Sequence, residues 1–205
     1  MRFYSQVIFP RLLDWSMSDS VMAKHRQEVL AEVQGEVLEI GFGTGLNLPY
    51  YPPRIDKITT VDVNPGMNGL AQKRIQASDV TVNHQVLSGE HLPMSDGTFD
   101  SVVSTWTLCS IANVDQALEE IHRVLKPEGR FFFIEHGLSD DPEVQVWQNR
   151  LTPLQKAIAD GCHLNRNIQQ LIETHNFKFL KLEQFYLAAV PKSYGYLYKG
   201  IAAKA

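Results

Sequence analysis

The segment Glu36-Val37-Leu38-Glu39-Ile40-Gly41-Phe42-Gly43-Thr44-Gly45 constrains this chain more than any other. A short apolar run that stops at alternating glycines reads as a buried strand followed by a sharp turn. Glycine lets the backbone adopt positive φ and lets a ligand approach the main chain. The spacing is G-x-G-x-G. A dinucleotide fingerprint starting at Gly41 needs glycine at 46, where the chain has Leu46, and no Gly-Lys-Ser/Thr follows for a phosphate-binding P-loop. Glu39 stands two residues before the first glycine. A carboxylate beside such a turn repels a pyrophosphate and suits a ligand that carries an ammonium group. The plainer alternative is a glycine-rich turn with no ligand.

The rest of the chain repeats the strand-then-helix pattern. Residues 57–63, 80–87, 101–108 and 130–136 read as strands, and 16–33, 65–77, 115–125 and 165–175 as helices. Ser16, Ser18 and Asp19 are candidate caps for the first helix, and Lys126-Pro127-Glu128-Gly129 reads as the end of the third. Strands alternating with helices at this spacing imply a mostly parallel sheet covered on both faces. Residues 137–163 read as helical or irregular. The β-rich runs 177–187 and 193–205 look like an antiparallel pair closing one edge. The expected architecture is therefore α/β and doubly wound, in one domain over 1–205. An N-terminal arm and helix occupy 1–34, a cofactor-binding core 35–136, and a helical insert with a C-terminal hairpin 137–205.

Bulk properties narrow the function. With 205 residues the chain is long enough to bury a sizeable core without staples. Its 19 basic and 23 acidic residues give a net charge of −4 and no basic stripe, which argues against a nucleic-acid partner. Two cysteines, Cys109 and Cys162, neither close a zinc site nor suggest a disulfide framework, so no metal is expected. A reducing cytoplasm is the default compartment. The arm at 1–15 is apolar in patches but interrupted by Arg2, Pro10 and Arg11. It contains no apolar run near the ~20 residues that span a bilayer. It is a candidate to pack on the body, to close over a pocket as a lid, or to touch a membrane surface. A monomer and a homodimer are both compatible with the sequence.

Asp62 ends the second strand, 17 residues after Gly45. An acid there either binds ribose hydroxyls or caps the next helix. Val63 and Met67 follow it and either pack on a base or belong to the core. Gly89 and Glu90, with His91, lie on the loop after the third strand, where they either contact a base or are plain loop residues.

These pieces together resemble a class I S-adenosylmethionine-dependent methyltransferase. The likeness runs from about Val37 to His136. It rests on VLEIGFGTG, VDVNPGM, the EHLP and DGTFDSVV stretch, and LEEIHRVLKPEGRFFFIEH. It implies a Rossmann-like seven-stranded sheet with an antiparallel last strand, and S-adenosyl-L-methionine as cofactor. Glu39 would serve the methionine amino group, Gly41 and Gly43 would lie against the cofactor, and Asp62 would hold the ribose. Phe42, Gly45, Val63, Met67, Gly89, Glu90, Thr105 and Leu108 complete the implied cofactor set. Many relatives carry an acid where this chain has Ser88, so the adenine contact shifts here to the Gly89–His91 backbone.

A narrower likeness covers TWTLCSI (105–111), Glu135-His136, DGCHLNR (160–166), and the YPP and YGY segments. These resemble the thiol S-methyltransferases, which methylate alkyl thiols and hydrogen sulfide and carry an N-terminal membrane anchor. The implied acceptor is a small molecule, a thiol or sulfide first. A phospholipid amine or a quinone is the runner-up, and a non-catalytic cofactor-binding module is the reading from another class. Ligands of open α/β sheets sit beyond the carboxyl ends of the strands. His136 is therefore the leading candidate base, the other reading being a histidine bonded to a loop. Asp160 and His163 form a second candidate cluster, with capping of the helix near Asn165 as the alternative role of Asp160. Cys109 and Cys162 are expected to be buried structural thiols.

Overall fold

The computed structural model describes residues 3–188 and 190–205, so residues 1 and 2 of the arm lie outside it. The elements in chain order are α1 (Phe9–Met17), α2 (Ser20–Leu30), β1 (Val37–Ile40), β2 (Lys57–Val61), α3 (Asn68–Gln76), β3 (Thr81–Gln85), β4 (Phe99–Thr105), α4 (Val114–Val124), β5 (Leu125–His136), α5 (Pro142–Ile158), α6 (Ile168–Thr174), β6 (Phe177–Tyr186) and β7 (Tyr196–Lys204). Seven strands form one sheet in the order β3-β2-β1-β4-β5-β7-β6. The first five are parallel, and β7 runs antiparallel between β5 and β6. This is the expected seven-stranded Rossmann-like sheet, with β7 inserted as the antiparallel strand.

Two apolar layers cover it. On one face, α4 buries Val114, Leu118, Ile121 and Val124, and α6 buries Ile168 and Ile172, against Leu38, Val102, Phe131 and Phe133. On the other face, Met22, Val29 and Leu30 of α2 and Ala71 of α3 pack with Val103, Phe132 and Ile134. The sheet strands between them are buried on both sides, which is why 131–134 reads as an unbroken apolar run. Deleting one such side chain, for instance Leu118→Ala, leaves a cavity worth about 2–5 kcal/mol.

Three boundaries differ from the sequence reading. The helix expected over 16–33 is two helices: α1 stops at Met17, and Asp19 caps α2 by accepting from the Val21 and Met22 amides at 2.7 and 2.9 Å. Lys126–Gly129 does not end a helix by a turn. It opens β5, and the register with β4 slips across it, from Phe99↔Leu125 to Ser101↔Arg130. Strand β4 ends at Thr105 rather than 108, because Trp106 takes a left-handed φ of 52° and turns the chain out of the sheet.

Register decides what meets at the carboxyl edge. Ile40 pairs with Val61 on one side and with Ser104 on the other. The chain leaves these strands through Gly41, Asp62 and Thr105, which brings the three side by side. Thr105 in turn pairs with Ile134, two residues before His136. The strand order reverses between β1 and β4, and a crevice of about 790 Å³ opens above that point. No helix among the described residues is long and apolar enough to cross a membrane.

Candidate active site

The glycine turn uses its glycines for different reasons. Gly41 (φ 76°) has no room for a side chain, since an added Cβ would lie 1.9 Å from Thr107 Oγ1. Gly43 (φ 56°) instead faces open space in the crevice, its nearest neighbour being the Gly41 carbonyl at 4.0 Å. Only the second leaves backbone for a ligand to approach. Gly45 does not line the crevice: its missing side chain is replaced by Phe42, Arg74 and Leu48. It shapes the turn, which corrects its place in the implied cofactor set.

Two carboxylates flank the turn. Glu39 is buried, with Oε1 accepting from Asn47 Nδ2 at 2.8 Å and Oε2 from Tyr51 Oη at 2.7 Å. Burial raises its pKa to about 7 in spite of these bonds and of the nearby Arg26 charge. Asp62 accepts from the Gly43 amide at 2.7 Å and the Asn64 amide at 2.8 Å, so the second strand end clamps the glycine turn. Burial again pushes its carboxyl up.

Of the other sequence-derived residues, Phe42, Val63, Met67, Gly89, Glu90, Thr105, His136 and Asp160 all line the same crevice. Val63 is 69% exposed at the rim, whereas Met67 is buried in the wall. Glu90 turns its carboxylate to the Asn113 amide at 2.7 Å. Ser88 Oγ accepts from the Glu90 amide at 3.2 Å. Thr105 Oγ1 accepts from Asn47 at 3.0 Å and so steadies the Glu39 pair. Leu108 is a correction: it lies in the apolar core under α4 and does not face the crevice. The early end of β4 is the reason, since it turns 107–111 into a loop that tucks Leu108 inward.

Asp160 is no helix cap. Asn167 caps α6, while Asp160 accepts from Ser5 Oγ at 3.3 Å and from Asn64 Nδ2 at 2.9 Å. Its two oxygens brace the arm against the end of β2, at the crevice wall. His163 lies apart from it, outside the crevice, with its amide donating to the Cys109 carbonyl.

His136 is 6% exposed, and its Nε2 has no hydrogen-bond partner among the described residues. Its Nδ1 lies 3.7 Å from Cys162 Sγ, and Cys162 Sγ lies 3.4 Å from Cys109 Sγ. Both thiols are buried as expected, yet both also line the crevice. The loop that carries Cys109 is fixed from below by Glu135, which takes the Ser104 hydroxyl and the Thr107 and Cys109 amides.

Sequence reasoning missed Arg26, Asn47 and Trp106. Arg26 is 4% exposed, stacks 4.7 Å over the Trp106 ring and leaves its Nε without a partner. A signal existed: at four residues from both Met22 and Leu30, position 26 falls on the buried face of α2. Asn47 likewise leaves Oδ1 unpaired. The arm roofs the crevice. Asp14 meets Arg74 at 2.7 Å and Thr44 Oγ1 at 2.6 Å, and Tyr4 donates to the Ile158 carbonyl at 2.7 Å. Buried polar groups are normally satisfied. Three orphans in one crevice wall, Arg26 Nε, Asn47 Oδ1 and His136 Nε2, therefore mark a ligand with anionic, donor and proton-bearing parts. An amino-acid-bearing nucleoside fits this set.

Comparison with known proteins agrees. A family model described as a methyltransferase domain matches residues 38–133. A human thiol S-methyltransferase is 32% identical over 195 residues, covering 87% of this chain and 80% of the relative. One from Rattus norvegicus is 38% identical over 152 residues, 72% of this chain and 62% of its own length. A demethylmenaquinone methyltransferase from Symbiobacterium thermophilum is 32% identical over 129 residues, 58% of this chain and 51% of the relative. Among solved structures, the cyclase SpnF superposes with a TM-score of 0.70 at 17% identity over 90% of this chain and 80% of that one. A geranyl diphosphate methyltransferase in complex with S-adenosylmethionine does so at 0.68 and 14% over 91% and 85%. These last two speak for the fold. The chain belongs to the S-adenosylmethionine-dependent methyltransferases.

Proposed function

We propose that this methyltransferase alkylates a small thiol or sulfide held beside His136. The observation that carries the reading is the buried, unpartnered His136 Nε2 in a crevice wall shared with two sulfur side chains and Trp106. The thiol S-methyltransferases among the relatives support it.

Bound in the crevice, S-adenosylmethionine supplies an electrophilic methyl on a sulfonium. Glu39 would receive its ammonium group, with Asn47 Oδ1 as a second acceptor. Arg26 Nε would donate to its carboxylate, Asp62 would accept from the ribose hydroxyls, and the open face of Gly43 would admit its close approach. His136 Nε2 takes the acceptor's proton. A thiol of pKa about 8.5 needs only modest help at neutral pH. The roof formed by the arm, with Tyr4, Phe9 and Leu12, excludes water. Most of the rate then comes from holding nucleophile and methyl in line, worth about 7–11 kcal/mol. Assays of purified protein with sulfide and alkyl thiols, read by mass of the methylated product, test this. No product above background at millimolar acceptor refutes it.

A lipid-like acceptor such as a quinone is the second reading, favoured by the apolar roof and by the demethylmenaquinone relative. Liposome co-sedimentation that depends on residues 1–15 would support it. Binding of S-adenosylhomocysteine without turnover on any acceptor would instead point to a binding module.

A further inference from the structure

The two cysteines of this chain are 53 residues apart in sequence, sit on different loops, and meet with their sulfurs 3.4 Å apart in the wall of the crevice. Core packing does not require this: either thiol alone would fill its space as a small apolar group. A third group, His136 Nδ1, touches Cys162 from the other side at 3.7 Å. The pair is also unequal. The hydrogen bond from Cys109 and the neighbouring His136 ring hold the Cys162 thiol well below its ordinary range, while the same bond and burial push Cys109 up. An attacking thiolate backed by a resolving thiol is the arrangement that thiol–disulfide exchange uses.

We propose that Cys162 and Cys109 form a thiol–disulfide exchange site for low-molecular-weight disulfides, and that the resulting Cys109–Cys162 bond shuts the acceptor end of the crevice. The Cys162 thiolate attacks one sulfur of a disulfide RSSR, forms a mixed disulfide and releases RS⁻. Cys109 then attacks the Cys162 sulfur and expels the second RS⁻. The protein dithiol is oxidised by two electrons, RSSR is reduced to two thiols, and the two protons of the dithiol end on the released thiols. Closing the pair from 3.4 Å to a bond of about 2.05 Å draws the 107–111 loop toward the 159–162 turn. It also removes the sulfur contact that orients His136. Neither cysteine is bonded to Glu39, Asp62 or the glycine turn, whose own hydrogen bonds stay in place, so cofactor binding survives. The inference requires the crevice to be the methyl-transfer site but makes no demand on the identity of the acceptor.

The test uses the full chain, reduced and then exposed to 2-hydroxyethyl disulfide. Free thiols are blocked with N-ethylmaleimide before digestion and mass spectrometry. The expected product is a cross-linked peptide pair containing Cys109 and Cys162, lighter by two hydrogens. Methyl transfer falls to background and returns with the thiol-free reductant tris(2-carboxyethyl)phosphine, while S-adenosylhomocysteine affinity by calorimetry is unchanged. In Cys109→Ser the reaction stops at a hydroxyethylthio adduct on Cys162. If that variant does not fold, a transient adduct on Cys162 in the wild-type time course carries the same information. Two maleimide-blocked cysteines after prolonged exposure, or a stable adduct on wild-type Cys162 with no cross-link, overturns the exchange site. A cross-linked protein that keeps full activity overturns the gating. The mass readout stands even if no acceptor is ever methylated, so failure of the thiol reading and failure of this one are told apart.

Discussion

At the β1–β2 end of the crevice the carboxylate oxygens are already held: Glu39 by Asn47 and Tyr51, Asp62 by two backbone amides. At the β4–β5 end, His136 has one long sulfur contact and the two thiols have chiefly each other. The first end is a fixed polar mould whose groups are aimed before any ligand arrives. The second is soft and loosely bonded, with less to specify a shape. A constant ligand suits the first and an exchangeable one the second. One fold can host many acceptor chemistries, and the soft end is where such variation costs the least structure.

Substitutions that hit one end and spare the other test the division. The largest effect is expected from His136→Ala, a loss of about 10²–10⁴ in kcat/KM, the usual contribution of a positioned acid–base group, with S-adenosylhomocysteine affinity unchanged. Equal losses in turnover and cofactor affinity would erase the boundary between the ends. Next comes Asp62→Ala, which removes an anchored charged acceptor worth about 3 kcal/mol and weakens S-adenosylhomocysteine binding roughly a hundredfold in calorimetry.

Glu39→Gln is smaller, about tenfold in affinity, with a pH signature. A bound ammonium favours the ionised carboxylate, and the Glu39 pKa is raised from 4.5 to about 7 in the free protein. Affinity of the wild type therefore climbs with pH and levels off above about 7, and the glutamine variant lacks that climb. Stability runs the other way. The unfolded chain releases these protons at lower pH than the folded one, so the free protein loses stability as pH rises from 4.5 through about 7. Glu135, raised to the same value by burial, contributes the same sign. Thermal melts across that window check it, and Glu39→Gln lessens the slope without abolishing it, since Glu135 remains. Smallest is Asp14→Asn, which frees the arm from Arg74 and Thr44 at a cost of about 1 kcal/mol. Its readout is faster proteolysis within residues 3–17 with little change in turnover.

The polar mould was legible in the sequence because it is local. The strand, the glycine spacing and Asp62 fall within 27 residues, and period and turn chemistry report such segments directly. The soft end was legible only residue by residue. His136 followed from the strand end, but the meeting of Cys109 with Cys162 depends on how α5 returns across the sheet, and no spacing encodes that. The misplacement of Leu108 has a single cause, the left-handed Trp106, since nothing in Thr-Trp-Thr announces a positive φ on a bulky residue. Arg26 was missed because its charge spoke for an exposed position, although the spacing from Met22 and Leu30 already placed it on the buried face of α2.

Asp160 joins three parts that a ligand must pass: Ser5 of the roof, Asn64 at the end of β2, and the turn leading into Cys162. If a spent nucleoside leaves past this knot, these bonds must break first. We therefore expect escape of the demethylated product, and not the transfer itself, to pace each cycle. Raising solvent viscosity would slow steady-state turnover while leaving a single first round unaffected.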